Sequence, residues 1–173
     1  MNWPDDFRCE PVPGATIEQL HVFMESVFAP LTPEEIKELS DEHRKIVGDG
    51  SFDAPFCPEK WTLPQAPLPV EYLDFLRWSN GGYFQGIGHD LDPLFSTHEV
   101  RDYMLAYNIP HWMPETCPIG FDGGGGFYLL DMRNALQPRE FPVVWAHASN
   151  LGFHDARPLA KSFSEFIEKR LGE

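Results

Sequence analysis

LPVEYLDFLRWSNGGYF, residues 68–84, decides how the rest of the chain is read. Tyr72, Leu73, Phe75, Leu76 and Trp78 recur at three- and four-residue spacings, so a helix opened by Pro69 carries an apolar side that needs a covering surface. Asn80 and Gly81 break that period. The expectation is a helix ending at Asn80, where Gly81 takes a positive φ without steric cost and closes off the last carbonyls. Gly82, Tyr83 and Phe84 then lead into a short strand towards Ile87.

Working outward towards the N-terminus, two more helices announce themselves by their starts. Thr16 with Gln19 three residues later forms a capping box ahead of Ile17, Leu20, Phe23, Met24, Val27 and Phe28. Thr32-Pro33-Glu34-Glu35 repeats the signal with proline at the first helical position, for a helix reaching about Val47. Residues 48–67 carry four prolines, two glycines and three large aromatics, the composition of an ordered loop whose rings lie against the core.

On the C-terminal side, Ser96 and Glu99 predict a fourth helix carrying Val100, Tyr103, Met104 and Tyr107 towards Pro110. The period then becomes that of a sheet. Residues 117–121 and 127–131 are apolar strands flanking Asp122 and the run Gly123, Gly124, Gly125, Gly126, and PVVWA (142–146) is a further strand. Ser162 and Glu165 cap a closing helix with Phe163, Phe166, Ile167 and Leu171 on one face. Helices, then a meander, then a helix is an α+β pattern, expected as one globular unit made of an N-terminal arm and helix (1–30) and a main domain (31–173).

Charge narrows the function classes. With 27 Asp and Glu against 13 Lys and Arg, the formal charge of −14 repels nucleic acid and anionic lipid and favours a basic partner. No apolar run approaches the roughly 20 residues of a membrane span, and the first residues lack a basic leader, so the expected location is the cytoplasm. Cys9, Cys57 and Cys117 have no CxxC spacing, and the seven histidines form neither HxH nor HExxH, so no metal and no cofactor is expected. The four glycines invite a phosphate-cradle reading, but a strand follows them where a helix N-terminus and a Lys-Ser or Lys-Thr would be needed; a flexible hairpin turn is the expectation. Asp90 and Asp92 could chelate calcium or serve as the paired carboxylates of a hydrolase, and are also ordinary loop charges.

Three pieces in order carry a resemblance: LTPEEIKEL (31–39), LPVEYLDFLRWSNGG (68–82), and IGFDGGGGFYLLDM (119–132) followed by PVVWAHA and AKSFSEFIEKRL. Together they resemble the SUKH superfamily, named after the yeast cell-wall glucan synthesis regulator and the Syd protein, over about residues 31–171. The LPxxYxxFLxxxNGG element is its most specific part. The chain departs from the pattern in the loop between the first two pieces and in its N-terminal arm and helix.

The resemblance implies helices packed on a curved, mainly antiparallel sheet. Leu68, Tyr72, Phe75 and Leu76 would pack the helix after Pro69, and Asn80, Gly81 and Gly82 would set the turn. It also implies a non-catalytic protein: many bacterial members are immunity proteins that neutralise a toxin by binding it, and some fungal relatives are regulatory interaction proteins. No catalytic residue carries over. The expected site is therefore a surface for a protein partner such as a basic toxin domain, placed at Tyr83, Phe84, Asp90, Asp92, Asp122 and Trp145, where aromatics lie near acidic groups.

Overall fold

Capping chemistry fixes the first helices. In the computed structural model, which describes residues 12–47, 56–84, 92–134 and 140–171, helix α1 (Ile17–Ser26) starts where Thr16 Oγ1 accepts from the Gln19 N–H at 3.1 Å and Gln19 takes the Thr16 N–H at 2.8 Å. Helix α2 (Pro33–Val47) starts the same way: Thr32 Oγ1 accepts from the Glu35 N–H, and Glu35 takes the Thr32 N–H at 2.7 Å. Each box satisfies two amide donors that a bare helix start leaves open.

Helix α3 (Val70–Trp78) follows Pro69 and buries Tyr72, Phe75 and Leu76 completely. It ends differently from the expectation. Ser79, not Asn80, leaves the helix, with an extended backbone at φ −145°. Gly81 does take a positive φ of 80°, but its reason is a crossing of chains: a Cβ there would lie 2.5 Å from Ser96 N and 2.9 Å from Leu94 O. Asn80 clamps the same crossing, its side-chain oxygen accepting from Thr97 N–H at 2.9 Å while its own N–H donates to Pro13 O. The Asn-Gly-Gly corner is thus a tertiary joint between α3, the N-terminal segment and the residues leading to the next helix.

Beyond it come β1 (Gly82–Phe84), β2 (Asp92–Leu94), α4 (Glu99–Ala106), α5 (Ile109–Trp112), β3 (Thr116–Phe121), β4 (Gly126–Asp131), β5 (Val143–His147), β6 (Arg157–Ala160) and α6 (Phe163–Leu171). The described strands form one sheet in chain order β1 to β6, every neighbouring pair antiparallel. The α+β architecture and antiparallel meander are as expected. Two strands are additional to the sequence reading, β2 and β6, each short and each containing a proline. Helix α4 also stops earlier than expected: Asn108 adopts a left-handed φ of 52°, and Pro110 sits inside the short α5 rather than terminating α4.

Helices cover both faces of the sheet. Adjacent residues of a strand point to opposite faces. Tyr128 meets Phe166 of α6, whereas its neighbour Phe127 meets Tyr103 and Tyr107 at α4. The central strands are accordingly buried on both sides.

One side chain, Arg101, ties both N-terminal helices to this body, in addition to the packing of α1 on the core. Arg101 of α4 donates to both carboxylate oxygens of Glu35 at 2.9 Å and, through Nη1, to the carbonyls of Ser26, Val27 and Ala29 at the end of α1. Leu20, Phe23 and Val27 of that segment lie in the common core. Among the described residues, no helix is long and apolar enough to cross a membrane.

Candidate partner-binding surface

The hairpin between β3 and β4 is tied by its own aspartate. Asp122 Oδ1 accepts from Gly124 N–H at 2.8 Å and from Gly126 N–H at 2.7 Å, and Oδ2 accepts from the Trp145 indole at 2.7 Å. Burial pushes the Asp122 carboxyl up, but the Gly126, Trp145 and Gly124 donors more than offset it and hold it below its ordinary value. The glycines have separate reasons. Gly123 and Gly125 have positive φ, and Gly126 lies so close to Trp145 that a Cβ would sit 1.9 Å from Nε1. Three of Asp122's acceptor positions are therefore used inside the protein, and its charge organises the turn.

Strand register divides the remaining candidates. The partners Gly82, Leu94, Gly120, Tyr128 and Trp145 follow one another across the sheet and so share one face. Tyr83, Phe121 and Phe127 belong to the other. Tyr83 and Trp145, expected in one patch, consequently lie on opposite faces. Phe84 is 2% exposed and packs on Phe75 and Trp78, which makes it a core residue and not the contact residue that its place beside Tyr83 suggested. Asp92 opens β2, where its backbone pairs with Phe84; Asp90 lies outside the described residues. Trp145 is half-buried, with the Arg157 guanidinium 5.0 Å from its ring centre.

Among the candidates whose exposure is described, Tyr83 is the one that faces outward most, at 48% exposure. It borders a cleft of about 310 Å³ lined by strands β1 and β2 and, beyond them, by Phe95 before α4, Glu99 and Tyr103 on α4, and Phe121 and Gly123 at the glycine hairpin. In the sequence, Glu99 is legible as a capping residue and Tyr103 as part of the apolar side of a helix. Their four-residue separation puts both on one side of α4, a spacing visible in the sequence; that this side meets the hairpin tip was not. Glu99 Oε2 accepts from both the N–H and the hydroxyl of Ser96.

Elsewhere, the described residues contain no group of three or more His, Cys, Asp or Glu side chains placed to hold a metal ion. Cys117 is fully buried, and that burial raises its thiol far above the usual range, where it stays protonated and inert.

An antiparallel meander covered by helices on both faces, with a tied glycine hairpin and an Asn-Gly-Gly joint, defines an α+β scaffold whose most specific sequence element is structural. The chain belongs to the SMI1 / KNR4 family (SUKH-1), whose model matches residues 59–169. No curated protein matches the chain. The matched range includes α3, the Asn-Gly-Gly corner, the hairpin and nearly all of α6; α1, α2 and the LTPEEIKEL piece lie before it.

Proposed function

We propose that this chain is a non-catalytic protein-binding domain that acts in the cytoplasm as an immunity protein, neutralising a toxin by direct contact. Family membership supports a role in protein interaction in general. The observation that carries the more specific reading is the exposed Tyr83 beside an aromatic cleft with a carboxylate at its edge, on a chain of formal charge −14. Exposed aromatics supply the anchors of protein interfaces, while net charge of one sign steers a partner of the other.

The test is co-expression with the product of the adjacent gene. The expected result is growth arrest by that product alone, relief by this chain, and a stoichiometric complex whose association slows as salt is raised. Arrest that persists with this chain in excess, or a neighbour without toxicity, would overturn the reading.

A further inference from the structure

We infer that the cleft walled by Tyr83, Tyr103 and Phe121 and edged by Glu99 is a receptor for one basic side chain, arginine by preference, projecting from the protein partner. The inference rests on the reading of this chain as a protein-binding domain, and it depends on no particular partner.

Size comes first. At about 310 Å³ the cleft lies at the bottom of the range of small-molecule sites, suited to one inserted side chain. Its chemistry then selects the guest. Aromatic rings attract a cation through the negative potential of their faces, and a planar guanidinium adds stacking to that attraction. Glu99 is exposed, and its Oε1 has no hydrogen-bond or ion-pair partner among the described residues, because the Ser96 bonds both fall on Oε2. A carboxylate oxygen is thus available at the edge of an aromatic slot.

The protein already uses the same chemistry within itself. Arg133 sits 3.3 Å above the ring centre of Phe153, and Arg157 lies over Trp145. Those rings have their cations. Among the described residues lining the Tyr83 cleft there is no lysine, arginine or histidine, so its negative edge and ring surfaces are matched by no internal charge. The floor is firm as well: Tyr103 stacks on Phe95 at 4.3 Å, and Phe121 meets Phe127 at 5.1 Å. An inserted side chain would meet walls that are already packed, which lowers the ordering cost of binding.

The experiment uses the full chain, labelled with ¹⁵N and titrated with an acetylated and amidated (Gly-Arg)4 peptide, and separately with the same peptide carrying citrulline for arginine. Citrulline keeps the shape and removes the charge. Saturable shifts are expected at the amides of Tyr83, Tyr103, Phe121 and Gly123 with the arginine peptide, and none with citrulline. Tyr83→Ala and Glu99→Gln should each weaken binding about tenfold, and Tyr83→Leu, which keeps the bulk without the ring, should weaken it similarly. Glu168→Gln removes the same charge from α6, across the sheet, and should leave affinity unchanged. Equal binding of the citrulline peptide, equal weakening by Glu168→Gln, or shifts confined to other surfaces would overturn the inference. Arginine binding in the cleft by a chain that neutralises no toxin would defeat only the toxin reading; neutralisation insensitive to Tyr83→Ala and Glu99→Gln would defeat only the cleft.

Discussion

Asp122 shows how a residue can look like a contact and work as a fastener. It was legible in the sequence as an acid beside four glycines, and acids beside flexible backbone suggest exposure. What the sequence did not show was that the Trp145 indole, brought there by register from 23 positions away, donates to this carboxylate. Asp122→Asn keeps the shape but turns one acceptor into a donor facing that indole, so a loss of about 2 kcal/mol is expected in urea unfolding at neutral pH. The sign of the pH dependence follows from the lowered folded-state value. The charged form stabilises the fold above the unfolded-state pKa of about 3.9, and the contribution disappears as pH falls through the lower folded-state value. The gap between wild type and Asp122→Asn should therefore be constant from neutral pH down to about pH 4 and narrow below it; a gap that widened there would contradict the assignment. Phe84 illustrates the converse, a residue whose alternation with Tyr83 was readable but whose inward side was not until the strand had a partner.

Among the elements, those with chemical punctuation were readable and those without it were not. The boxes at Thr16 and Thr32 are local, involving residues three apart, and both helices begin where their sequences say. Strands β2 and β6 have three and four residues, each interrupted by proline, and exist because longer neighbours pair with them. Local pattern carries little of that information. The end of α3 lies between these cases: the glycine was rightly marked as a left-handed position, but what demands it is the close passage of Leu94 and Ser96. Gly81→Ala should hence cost about 3 kcal/mol, combining an unfavourable φ with backbone overlap. Gly124→Ala is the matched comparison, because a Cβ there meets only the Asp122 carboxylate, at 3.5 Å or more, an ordinary contact, and stability should change by less than about 0.5 kcal/mol. Parallel urea curves for the two variants check the pair.

The molecule as a whole is held at a second joint, Arg101, which the sequence offered only as one basic residue on a helix. Its side chain is about one-sixth exposed and joins the Glu35 carboxylate to three carbonyls at the end of α1 and in the turn after it. That arrangement holds the Glu35 carboxyl below its ordinary value. Arg101→Ala should destabilise the chain by about 3 kcal/mol, with hydrogen exchange accelerated in α1 and α2 before the sheet; Arg101→Lys, lacking the planar fork, should recover less than half. Equal exchange in all elements would instead mean that the joint is not where the N-terminal helices come loose. At this scale the acidic charge and the wealth of aromatics were readable, but which aromatics share a face was not, because Tyr83 and Trp145 lie on opposite sides of the sheet.

That joint has an evolutionary side. The family match begins at residue 59, so Arg101 lies within the shared body while everything it grips precedes it. A recombination event that exchanged the first two helices for foreign ones would inherit a guanidinium with nothing to hold. Successful exchanges must either import an acid and free carbonyls in the right places or arrive together with a change at position 101, which makes the head of this protein harder to shuffle than its loops.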